Sequence, residues 1–150
     1  LSTKSIDWFA TLGCRRRGGM GYHDGKTGQG ERKMPGFLTT HVLDTARGRP
    51  AEGMEVVLYR LTGGAREELA RLVTNADGRT DRQILPAEAF ATGIYELEFH
   101  AGAWMDRTGI PAETPRFLDV IPIRFGMSRE GHYHVPLLVS PFGYSTYRGS

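Results

Sequence analysis

Eight consecutive residues, Gly93 to His100, alternate in character: Tyr95, Leu97 and Phe99 are apolar, and Glu96, Glu98 and His100 between them are polar. A repeat of two sends one set to each face of an extended strand, an arrangement no helix reproduces. The stretch therefore predicts a half-buried antiparallel strand. A lone strand leaves its backbone N–H and C=O groups unpaired, so the rest of the chain has to supply partners. Runs rich in β-branched and aromatic residues do so at Phe37–Asp44, Met54–Leu61, Leu69–Thr74, Phe117–Phe125, His132–Val139 and Tyr144–Arg148. Between them lie Gly48-Arg49-Pro50, Gly63-Gly64, Asn75-Ala76-Asp77-Gly78 and Ser140-Pro141, which are turn chemistry; Gly126–Gly131 reads as a hairpin loop. Leu38, Thr40 and Val42 fall on one face of the first strand, Thr39 and His41 on the other. Met54, Val56 and Leu58 point inward from the second. Leu85–Ala91 has room for a helical turn, and Trp104-Met105 marks the apolar side of a short helix. The prediction is all-β: an antiparallel β-sandwich of seven or eight strands with one short helix.

At 150 residues and 39% hydrophobic content, one domain can bury a core without covalent staples. The single cysteine, Cys14, excludes an internal disulfide framework and a multi-cysteine zinc site. The formal charge of +2 is unevenly spread: residues 1–36 hold seven of the 19 basic residues and three of the 17 acidic ones. The remainder is mildly acidic, which argues against a nucleic-acid surface on the folded part. No apolar run is long enough for a membrane span, and residues 1–35, dense in glycine and without a strand or helix period, show no secretory h-region. They are expected to form a disordered extension that includes a solvated His23, followed by a domain from 36 to 150. No phosphate-binding glycine loop, internal repeat, serine-hydrolase elbow or paired glycosidase carboxylates are found.

What remains for chemistry is imidazole and guanidinium. His132 and His134 are two apart, so both leave the same face of a strand, while Tyr133, Val135, Leu137 and Val139 leave the other for the core. The pair suits an ordinary sheet face, or two ligands of a metal with His41 as a third. It equally suits acid–base work, since histidine titrates near neutrality. Arg79, directly after a tight turn, is either a solvated charge or a fork for a developing oxyanion. The closing tetrapeptide Tyr147-Arg148-Gly149-Ser150 places an aromatic ring, a cation and a hydroxyl where chain ends usually carry solvating residues.

Four separated pieces, LTTHVLDTARGRPA, NADGRTD, HYHVPLLVSP and YSTYRGS, resemble in order the 5-hydroxyisourate hydrolases, the transthyretin-related enzymes of urate breakdown. The passage GIYELEFHAGAW between them resembles the strand-then-helix segment of transthyretin itself. The likeness runs over residues 36 to 150. It implies a transthyretin-like sandwich, a homotetramer with its sites in a central cleft between dimers, and a cytoplasmic cyclic amide hydrolase. The implied catalytic residues are His41, Arg79, His134 and Ser150. The implied substrate contacts are His41, Arg79 and Tyr147, with no metal and no cofactor. The implied reaction opens 5-hydroxyisourate to 2-oxo-4-hydroxy-4-carboxy-5-ureidoimidazoline, with a histidine activating water and Arg79 holding the charge that develops on oxygen. No membrane or nucleic-acid partner is expected. The alternative is a transthyretin-like carrier of a small molecule without catalysis, which an apolar, histidine-free channel would favour. Zinc at His132/His134, acting as an inhibitor, is a further alternative that loss of activity on adding zinc would support.

Overall fold

The computed structural model describes residues 35–149. Cys14 and His23 lie outside them, as do Ser150 and all but Pro35 of the expected N-terminal extension. Ten short strands are present: β1 (Phe37–Thr39), β2 (Val42–Asp44), β3 (Arg49–Pro50), β4 (Glu55–Thr62), β5 (Ala65–Val73), β6 (Gly93–His100), β7 (Val120–Met127), β8 (His132–His134), β9 (Leu137–Ser140) and β10 (Gly143–Thr146). One α-helix, α1 (Ala101–Arg107), and one 3-10 turn at Ala87–Ala89 complete them. One sheet has the order β5-β4-β6-β7, the other β10-β9-β2-β3, and β1 pairs with β8.

The expected count of strands and the count observed describe one layout. Backbone pairing is interrupted at Thr40-His41 and again at Val135-Pro136, where proline has no N–H to donate. Each interruption splits a continuous extended run in two, so counting β1–β2 and β8–β9 once each leaves eight. The two runs lie side by side and parallel, Phe37 to Thr39 against His132 to His134 and Val42 to Asp44 against Leu137 to Val139. Every other strand pairing is antiparallel.

Alternation decides the core. Val56 and Leu58 of β4, Tyr95, Leu97 and Phe99 of β6, and Ile121 and Ile123 of β7 meet Leu38, Val42, Tyr133, Leu137 and Val139 from the other strands. Trp104 and Met105 of α1 cover one end of this core, and Trp104 donates its indole N–H to the Glu52 carbonyl at 2.8 Å. Phe99 is fully buried. Phe99→Ala is expected to lower stability by about 3–5 kcal/mol, read from the midpoint of a urea titration, because the surrounding strands cannot close the cavity.

Three expectations are corrected. The third strand begins at Ala65 rather than Leu69: β5 is an edge strand, and Ala65 to Glu68 are exposed, so apolar alternation never marks them. Its register shifts where Leu69 is an extra residue opposite β4. Phe117 stands exposed ahead of β7, which starts at Val120. Gly126–Gly131 is not a hairpin; it carries the chain from β7 across to β8, which pairs with β1. The Tyr133 hydroxyl anchors this crossing, accepting from the Ser128 and Arg129 N–H groups and donating to the Arg129 carbonyl. Glu96 faces outward as its parity requires, yet it is buried between Arg66 and Arg124, 3.2 and 2.9 Å away. No helix among the described residues is long and apolar enough to cross a membrane.

Candidate active site

The parallel pairing of the β1–β2 run with the β8–β9 run puts Thr39 opposite His134. The three side chains Phe37, Thr39 and His41 alternate with buried Leu38, Thr40 and Val42, and so share the face that carries His132 and His134. Main-chain bonds fix the register: Val135 N–H to the Thr39 carbonyl at 3.0 Å and Leu137 N–H to the His41 carbonyl at 2.9 Å. The buried Thr40 hydroxyl adds a bond to the Val135 carbonyl at 2.7 Å.

Arg79 is delivered by the turn before it. Asn75 Oδ1 accepts from the N–H groups of Asp77 and Arg79 at 3.0 and 3.2 Å, and the Gly78 N–H returns to the Asn75 carbonyl at 2.8 Å. Gly78 has φ of 72°, and a Cβ there would stand 2.3 Å from the Val42 carbonyl oxygen. Only glycine permits that close approach, and it brings Arg79 into a β-bridge with His41.

A cleft of about 420 Å³ opens beside these groups, lined by Phe37, Thr39, Thr40, His132, His134 and the 79–83 segment from Arg79 to Gln83. His132 stacks on Phe37 with ring centroids 4.3 Å apart. The Thr39 hydroxyl lies 2.8 Å from His132 Nε2 and 2.9 Å from His134 Nδ1. His41 does not line the cleft itself; it stands next to it through its bridge with Arg79. Burial first, and then the Arg79 guanidinium, holds His41 below the ordinary histidine value of 6.5, while Asp77 pulls it back up. Burial, Arg79, His132 and His41 all hold His134 below that value. Both rings are thus neutral and able to accept a proton at pH 7.

A histidine held low in the folded state is neutral above 6.5 in folded and unfolded chains alike, so no stability changes there. As pH falls below 6.5 the unfolded chain takes up protons first, and stability is lost down to the folded value. Activity that needs neutral His134 is expected to hold at pH 7 and to fall on an acid limb whose midpoint lies below 6.5, read from kcat/KM against pH.

The tail is pinned at the same place. Gly149 donates its N–H to the His134 carbonyl at 2.8 Å, and a Cβ on Gly149 would come within 2.7 Å of the His134 ring. The Arg148 guanidinium sits over the Tyr133 ring, 4.7 Å from its centroid. Tyr147 is not in the cleft; it is exposed and lines a separate hollow of about 230 Å³ with Phe125, Tyr133 and Arg148. Ser150 lies outside the described residues. Of the sequence-predicted groups, His41, Arg79 and His134 are therefore gathered, and Tyr147 stands apart within one subunit. Phe37 and Thr39 were missed as site residues. The signal was available, because Thr39 shares the His41 face, but a hydroxyl and a phenyl ring carry no charge to draw notice. Among the described residues, no three histidine, cysteine, aspartate or glutamate side chains are placed to hold a metal ion.

Fold and cleft together define a transthyretin-like β-sandwich whose polar site pairs neutral imidazoles with a guanidinium. The family model described as HIUase/Transthyretin matches residues 38–149, and the chain belongs to that family. It is 57% identical to the 5-hydroxyisourate hydrolase of Mesorhizobium japonicum over 115 residues, which are 77% of this chain and 93% of that protein. Among solved structures, an (S)-allantoin synthase is 45% identical with a TM-score of 0.74; the match takes in 79% of this chain but only 45% of that longer one. The 5-hydroxyisourate hydrolase of Klebsiella pneumoniae is 40% identical with a TM-score of 0.65, covering 78% of this chain and 95% of the other.

Proposed function

We infer that the chain is a 5-hydroxyisourate hydrolase that opens its substrate to 2-oxo-4-hydroxy-4-carboxy-5-ureidoimidazoline, a step of urate degradation. The observation that carries this reading is the convergence of His134, His132 and Arg79 on one cleft of a chain 57% identical to a hydrolase of that name. The test is ultraviolet decay of freshly generated 5-hydroxyisourate: the protein accelerates it far beyond the spontaneous rate, and an unchanged rate would refute the reading.

The chemistry asked of the site is hydrolysis of a cyclic amide. A water oxygen bonds to the ring carbonyl carbon, the carbon–nitrogen bond breaks with its electron pair going to nitrogen, and the nitrogen takes a proton. His134 is the general base. Its Nδ1 is engaged by Thr39, which leaves Nε2 for water, and it lines the cleft where His41 does not. Arg79 stabilises the oxyanion as the carbonyl opens. His41, bridged to Arg79, helps hold the polarised carbonyl and the guanidinium in register. Tyr147 and Ser150 position the flat heterocycle. Gly149, the residue between Arg148 and Ser150, docks on the His134 main chain, which supports a role for the tail beside the base.

The working form is a homotetramer with each site in a cleft between dimers, and its compartment is the cytoplasm. Exposed Tyr147, at 59%, and a cleft open on one side support a site that subunit contact completes. Excluding water there strengthens each charge interaction. No metal or cofactor enters the scheme. Carriage of an apolar ligand is disfavoured by the histidines and arginine in the cleft.

A further inference from the structure

The Thr39 hydroxyl stands between two imidazoles, 2.8 Å from Nε2 of His132 and 2.9 Å from Nδ1 of His134. The ring centroids are 6.0 Å apart, so this oxygen is the partner the two rings share. A hydroxyl has one proton to give and lone pairs to receive. It cannot satisfy two bare ring nitrogens, because only one can take its proton and the other would face a lone pair. At least one ring must therefore present an N–H to Oγ1.

The base requirement selects which. His134 accepts a proton from water only if Nε2 carries a lone pair, and in a neutral ring that puts the hydrogen on Nδ1. Nδ1–H then donates to Thr39, the Thr39 proton goes to Nε2 of His132, and His132 keeps its own hydrogen on Nδ1. Both ring contacts to Oγ1 are then proper hydrogen bonds and the base stays open. If both rings donated instead, the hydroxyl proton would have no protein acceptor among the described residues and would turn to water in the cleft, uncoupling the two rings. At the far end, His132 lies on the face of Phe37, with ring centroids 4.3 Å apart.

We propose that Thr39 is a positioning residue that sets the His134 tautomer and joins His134 to His132 as a proton relay. When Nε2 of His134 takes a proton from water, its Nδ1 proton passes to Oγ1 while the Thr39 proton passes to Nε2 of His132. The positive charge moves one ring outward, proton number is conserved, and no carbon bond is involved. Amide hydrolysis has two protons to dispose of: one goes to the leaving nitrogen, and one is released when the new carboxyl ionises. Two coupled imidazoles provide a place for each. The charged and titratable groups facing the relay are Arg79, Asp81 and Arg82 from the segment after the turn and His41 from the first run. Arg79 and His41 both disfavour charge held on His134, which favours passing it on.

This rests on the hydrolase reading with His134 as base. Thr39→Val keeps the shape and removes the hydroxyl; Thr39→Ser restores it. With the full-length protein and 5-hydroxyisourate, Thr39→Val is expected to lower kcat about 10- to 100-fold, less than the roughly 10²–10⁴-fold expected for losing the base itself. KM stays near the wild-type value, the acid limb of the kcat profile shifts, and Thr39→Ser recovers most of the rate. Nitrogen-15 NMR of the histidine rings, with no substrate present, is expected to find His134 protonated on Nδ1 in the wild type and in Thr39→Ser, and a tautomer mixture in Thr39→Val. The relay is overturned if Thr39→Val keeps the wild-type rate and pH profile, if Thr39→Ser is as impaired as Thr39→Val, or if the tautomers do not respond. A wild-type protein that leaves 5-hydroxyisourate untouched while its tautomers follow the hydroxyl would overturn the hydrolase reading and support the coupling.

Discussion

Arg79→Ala lowers kcat/KM for 5-hydroxyisourate about 100- to 1,000-fold, the loss expected when a preorganised donor to a developing oxyanion is removed. Arg79 is exposed on the subunit, so the folded state loses little with it. Its thermal midpoint stays close to wild type, which separates this variant from one that merely unfolds. Arg79→Lys restores only part of the rate, because an ammonium lacks the planar fork that spans two oxygens. The substitution also has an electrostatic signature. Arg79 is one cause holding both His41 and His134 low, so its removal moves the acid limb of the pH profile upward. It does not carry it the whole way to 6.5, since burial is the larger cause for each ring. A wild-type rate in Arg79→Ala, measured by decay of the fresh substrate, removes the guanidinium from the mechanism.

His134→Gln carries the second large effect, a fall in kcat of about 10²–10⁴-fold. Glutamine keeps a polar group toward Thr39 but has no basic nitrogen, so packing and charge are preserved while proton abstraction is not. The acid limb that His134 sets disappears from what activity remains. His41→Gln is the comparison, and a smaller loss there is expected because His41 acts beside the cleft rather than in it. If His41→Gln is the more damaging of the two, the base assignment is reversed.

Much of this was legible in the chain. Period-two alternation located β6 to the residue, because a strand buried on one face has only one way to segregate Tyr95, Leu97 and Phe99 from its glutamates. The same logic placed His132 and His134 together, with Tyr133 buried between them. Edge strands were harder: Arg66, Glu67 and Glu68 are exposed along β5, and nothing in their hydrophobicity separates strand from loop. Long-range pairing was not legible at all. That His132–His134 runs parallel to Phe37–Thr39 depends on where β7 releases the chain, and glycines between them read equally well as a tight return. For the same reason Thr39, though alternation put it on the His41 face, was not read as a site residue. Its importance comes from two rings 93 and 95 residues away in sequence, and no local pattern announces a partner that distant.

That separation has a consequence for synthesis in the cell. The strand bearing Thr39 emerges early from the ribosome and the one bearing both of its imidazole partners late, with β2 to β7 in between. Contacts of such span are slow to form, since loop closure must precede any gain from them. Hydrolytic competence then cannot precede the docking of that late strand, and a nascent chain halted short of His132 is chemically inert however well its earlier hairpins have set.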